Sequence, residues 1–117
     1  MSQPRRVLVV DDEALVAMLL EDMLLDLGHE VVGPALNLQE ALELAGSEPL
    51  DAAILDLNLG QGKLSLPVAE LLEERGVPFV FATGYGADAP VGSVSHSGLL
   101  AKPFVTEDVR STLERIL

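Results

Sequence analysis

Short apolar runs alternate along the chain with longer stretches in which apolar residues recur at helical spacing, the pattern of repeated strand and helix units around a parallel sheet. The first run predicts a strand over residues 6–10. A strongly apolar helix over 14–27 follows, with Glu21, Asp22 and Asp26 toward one side and Gly28 as its stop. A second strand from about residue 30 to 33 is expected to end at Pro34. Asn37 with Glu40 three residues later reads as an N-capping box for a helix that reaches Ala45 and is ended by Gly46.

The run "DAAILDL" over 51–57 is nearly continuous in apolar residues, as a strand covered on both faces should be. "NLGQGKLS" makes a Gly-rich loop, after which Pro67 opens a helix to Arg75 that Gly76 stops. Residues 78–82 form the fourth strand. From 83 to 97 the periodicity fails among glycines, Pro90 and small hydroxyl residues, which predicts a loop with at most a short turn. A fifth strand over 98–101 precedes a last amphipathic helix that Thr106 can cap, with Val109, Leu113, Ile116 and Leu117 facing inward. The expectation is a single domain over 1–117.

Composition narrows the partners. The 117 residues are 49% hydrophobic but only 3% aromatic, so the core must be built from Leu, Val, Ala and Ile. Nineteen acidic against seven basic residues give a net charge of -12, which disfavours nucleic acid. There is no cysteine, hence no disulfide or thiolate metal site. No apolar run approaches the length of a membrane span or a signal-peptide core, and a soluble, cytoplasmic protein is expected.

The chemistry lies where the strands end. In an open parallel sheet the carboxyl ends of the strands converge on one ligand-binding edge. Asp11 and Asp12 end the first strand, Asp56 the third, Thr83 the fourth and Lys102 the fifth. Acids at strand ends are commonly just solvated, but these groups occupy strand ends that should be neighbours. Unit charges 4 Å apart interact by roughly 4 kcal/mol at an effective dielectric near 20, so three clustered carboxylates need a cation. Hard oxygen ligands suit Mg²⁺, which takes one or two carboxylates and a phosphate oxygen. A carboxylate can itself attack phosphorus, and Asp56, flanked by Ile54, Leu55 and Leu57, is the candidate nucleophile. Lys102 would neutralise a phosphate oxygen and the Thr83 hydroxyl would bond another.

The segments "VLVVDDE" (7–13), "AAILDLNL" (52–59), "FATG" (81–84) and "AKPF" (101–104) together resemble the receiver domains of two-component response regulators, over the whole chain. The resemblance implies a flavodoxin-like (βα)5 doubly wound sheet of strand order 2-1-3-4-5, here with the helix between strands four and five short or replaced by a loop. It implies that Asp56 accepts a phosphoryl group from a histidine kinase. Asp11, Asp12, Asp56 and the main-chain carbonyl of Asn58 would hold Mg²⁺, and Thr83 and Lys102 would sense the phosphate. The Lys102–Pro103 bond would be cis. Such a domain catalyses only its own phosphorylation and dephosphorylation. The match is nearer to a single-domain subgroup with a Phe-Ala-Thr-Gly-Tyr motif, here "PFVFATGYG" (78–86). The aromatic usual on strand five is replaced by Leu99, which makes Tyr85 the substitute switch residue, unless it merely covers the loop.

Other signals are weaker. "LGQGKLS" lacks the four residues between glycines that a phosphate loop needs, "GYGADA" lacks a third glycine, and His29 and His96 have no second ligand at metal spacing. A dehalogenase-like phosphatase would need an acid where Asn58 stands, and a flavin module would not open with Asp-Asp-Glu. The expected output is phosphorylation-dependent binding to a kinase, a phosphotransfer protein or a downstream regulator, a phosphate sink or constitutive interaction module being the alternative.

Overall fold

A computed structural model describes residues 4–60, 63–83 and 98–117. The strands are β1 (Arg6–Val10), β2 (Glu30–Ala35), β3 (Ala52–Asp56), β4 (Phe79–Thr83) and β5 (Leu99–Ala101), and the helices α1 (Ala14–Asp26), α2 (Leu38–Ser47), α3 (Leu66–Arg75) and α4 (Thr106–Ile116). All strand pairs are parallel, in the order β2-β1-β3-β4-β5. This is the flavodoxin-like fold with the expected strand order. The expected irregular stretch after Thr83 and the switch residue Tyr85 lie outside the described residues.

Strand side chains alternate between faces, and the apolar runs supply both. Leu8, Val10, Leu55 and Phe81 join Ala41, Ala45, Val68 and Leu72 in the core beneath α2 and α3. Val7, Val9, Ile54 and Val80 join Leu20, Leu24, Val109 and Leu113 in the core beneath α1 and α4. With helices on both sides, β3 is buried along its whole length. The two cores hold the strands in register and thereby fix where each strand stops. Among the described residues, no helix is long and apolar enough to cross a membrane.

Several boundaries differ from expectation. β2 continues through Pro34 to Ala35, because β2 is an edge strand and its pairing with β1 is irregular between Leu8 and Val10, opposite Gly33 and Pro34. Pro34 follows a cis bond, as Pro103 does. Gly46 lies inside α2 and does not end it; its missing side chain faces Leu71 of α3, whose Cδ2 would lie 3.5 Å from a Cβ there. Asn37 does cap α2, accepting from Glu40 N–H at 2.9 Å, while the Glu40 carboxylate accepts from Leu36 N–H. Thr106 is the first residue of α4, not its cap. The preceding Val105 N–H donates to the Asp108 carboxylate at 2.9 Å, which anchors the turn from inside the helix. Leu117 stays 42% exposed, whereas Val109 and Leu113 are buried and Ile116 is partly so.

Candidate functional site

Register brings the predicted residues together. Val10 pairs with Leu55, so the next residues, Asp11 and Asp56, emerge side by side at the carboxyl ends of β1 and β3. Asp56 pairs with Ala82, and Thr83 with Ala101, which sets Thr83 and Lys102 at the same edge. The result is a cleft of about 290 Å³ lined by Asp12, Glu13, Asp56, Asn58, Gly60, Thr83 and Lys102. Asp11 lies behind it, almost fully buried.

Carboxylate oxygens of Asp11, Asp12 and Asp56 all lie within 4.8 Å of one another. Lys102 Nζ reaches between two of them, 3.3 Å from Asp11 Oδ2 and 3.4 Å from Asp56 Oδ1. Asp11 also accepts the Glu13 N–H at 2.9 Å, which turns the chain from β1 into α1. Asp12 is the exposed member of the cluster and makes no hydrogen bond or ion pair with another described residue. Thr83 is buried, and its carbonyl accepts the Lys102 N–H at 3.0 Å, tying the fourth strand end to the fifth.

The electrostatics follow from this geometry. Burial, reinforced by the neighbouring Asp11 carboxylate, pushes Asp56 up to about 7, against the pull of Lys102 and of the Asn58 backbone N–H. Burial acts to lower Lys102, but the Asp56 and Asp11 carboxylates outweigh it and hold the ammonium above its ordinary range. The site therefore carries more negative charge than one lysine balances. Three convergent carboxylates, without sulfur or imidazole, are the donor set of a hard divalent cation, and Mg²⁺ fits it.

Asn58 lines the cleft, and its side chain turns back on its own loop, accepting the Gly60 N–H at 2.9 Å. Pro103 is at the edge of a second, apolar cleft of about 310 Å³ formed with Val16, Leu19, Met23, Lys102 and Phe104. Two lining residues were absent from the sequence-based site. Glu13 was legible as a third consecutive acid. Gly60 falls in the Gly-rich loop, where an Asn two residues before a Gly is a turn signal.

The response regulator receiver domain family matches residues 7–114. The chain is 35% identical to the transcriptional regulatory protein PdtaR of Mycobacterium tuberculosis over 95% of its own length and 56% of that protein. It is 34% identical to the phyllosphere-induced regulator PhyR of Methylorubrum extorquens over 95% of its length and 43% of that protein. It thus spans about half the length of these two relatives. The solution structure of SdrG from Sphingomonas melonis Fr1 superimposes with a TM-score of 0.83 at 44% identity, over 99% of this chain and 98% of that one.

Proposed function

The chain belongs to the response regulator receiver domain family, and from that premise we propose that it is a phosphoacceptor whose Asp56 takes a phosphoryl group from a histidine kinase or phosphotransfer protein. The observation that carries this reading is the placing of Lys102 Nζ within 3.4 Å of a buried, strand-end Asp56 that two further carboxylates adjoin. In the transfer, an Asp56 carboxylate oxygen attacks phosphorus, the bond from phosphorus to the donor's imidazole nitrogen breaks, and the imidazole keeps that electron pair and takes a proton from solvent.

Burial pushes Asp56 up to about 7, and the positive charge that a bound cation would supply favours the ionised, nucleophilic carboxylate. Asp11, Asp12, Asp56 and the Asn58 carbonyl are the groups that would hold Mg²⁺, which when bound supplies positive charge to the carboxylates and to the phosphoryl oxygens. Lys102 is free to exchange one Asp56 oxygen for a phosphate oxygen, and the Thr83 hydroxyl hydrogen-bonds another. Drawing Thr83 and Lys102 inward moves the ends of β4 and β5, and Tyr85 is the residue that reports this movement in the Phe-Ala-Thr-Gly-Tyr subgroup.

The domain acts on no other substrate and signals by binding protein. Leu15, Met18 and Leu19 stand exposed on α1, and Leu19 also lines the cleft of Pro103 and Phe104, a surface suited to the apolar face of a donor. The test is intact mass after incubation with Mg²⁺ and acetyl phosphate. One added phosphoryl group is expected, lost in Asp56→Asn and when the metal is chelated. No adduct, with another receiver domain labelled in parallel, would overturn the reading in favour of a constitutive interaction module.

A further inference from the structure

Of the three clustered acids, two are held in place by the protein. Asp11 is fixed by Lys102 and by the Glu13 N–H, and Asp56 by Lys102 and the Asn58 N–H. Asp12 has no such partner among the described residues, so its position depends on the walls around it. One of these walls is Gly60. A Cβ at this position would fall 3.0 Å from Asp12 Oδ2, tighter than ordinary van der Waals contact, and 4.0 Å from Asp12 Cγ.

Hydrogen bonds of the described residues around Gly60 oppose a shift that would relieve that contact. Gly60 N–H donates to Asn58 Oδ1 at 2.9 Å, and Gly60 O accepts the Lys63 N–H at 2.9 Å. Leu59 N–H bonds Lys63 O at 2.8 Å, and Ser65 N–H bonds Leu57 O at 2.9 Å. Between a pinned backbone and an exposed, unpartnered carboxylate, the carboxylate yields. We propose that Gly60 is a positioning residue for Asp12, its missing side chain reserving the space from which that carboxylate faces the other two acids.

The inference rests on the metal site proposed above. It predicts a particular split of effects, because turning Asp12 away costs the fold little, while Mg²⁺ demands near-ideal octahedral geometry and tolerates misplacement badly. Gly60 has φ +82, so an alanine there also strains the backbone. Gly28 separates the two effects: its φ is +87, but a Cβ there meets nothing within 4 Å.

The experiment is calorimetric titration of the full chain with Mg²⁺ alone, beside thermal unfolding in chelator, for Gly60→Ala, Gly28→Ala and Asp12→Asn. The expected result is that Gly60→Ala weakens Mg²⁺ binding about tenfold, as loss of an orienting contact typically does, while Gly28→Ala leaves it unchanged and both unfold at similar temperatures. Should Gly60→Ala fail to fold, Gly60→Asn replaces it, since asparagine tolerates positive φ but still carries the crowding Cβ. If Gly60→Ala or its replacement binds Mg²⁺ like the unaltered protein while Asp12→Asn weakens it, the role of Gly60 is overturned and the metal site stands. If Asp12→Asn also binds as before, Asp12 is no ligand, and both fall together.

Discussion

The ammonium of Lys102 stands 3.4 Å from the carboxylate of Asp56, a single cation at the end of one strand facing an acid buried at the end of another. The same ammonium lies 3.3 Å from Asp11, so it offsets two carboxylates that would otherwise face each other with little solvent between them.

Replacing Lys102 by Met removes that charge at similar length. In chelator at pH 8 the variant is expected to lose about 2 kcal/mol of unfolding free energy, since a buried pair broken on one side leaves its partner uncompensated. At pH 5 the loss should be smaller, because Asp56 is already protonated there. Urea unfolding at the two pH values measures both, and equal losses would contradict the account.

Asp56 makes a pH prediction of its own. Its native value, raised from 3.8 to about 7, means that between those limits the folded protein holds a proton that the unfolded chain has released. Folded stability therefore falls as pH rises through that window and levels off above it. Without metal, the unaltered protein minus Asp56→Asn should show a difference that grows unfavourably from pH 4 to 7.5, by about 1.4 kcal/mol for each pH unit below 7. A flat difference across that range would mean that Asp56 titrates normally.

α1 offers a contrast within one helix. Leu24 is fully buried and Leu19 is 56% exposed. Leu24→Ala should cost about 2–4 kcal/mol by leaving a cavity, whereas Leu19→Ala should change stability by less than about 0.5 kcal/mol. Labelling of Leu19→Ala by acetyl phosphate should match that of the unaltered protein, and its labelling by a phosphorylated donor protein should slow if α1 receives the donor. Unfolding curves and labelling time courses check the two halves separately.

The strands and the converging residues were legible because an apolar run that stops at a charged or polar residue marks both a buried strand and its end, while the strand order came from the resemblance to receiver domains. Asp56 after Leu55 and Lys102 after Ala101 are read that way from sequence alone. What escaped was set by neighbours distant in the chain. Pro34 is tolerated in β2 because that strand lies at the edge and its pairing with β1 is irregular between Leu8 and Val10, and Gly46 remains helical where α2 meets Leu71 of α3. The closeness of Gly60 to Asp12 is likewise a contact between loops following different strands, which no local pattern encodes.

The contact between Lys102 and Asp11 joins residues 91 positions apart. The acid cluster alone needs only β1 and β3, but its counter-charge comes with β5, at the far side of the sheet. A chain folded only as far as β3 would hold its carboxylates without their lysine. The charge balance of the pocket thus hangs on the last strand of the sheet, and a chain cut before β5 would lack the ammonium that offsets Asp11 and Asp56.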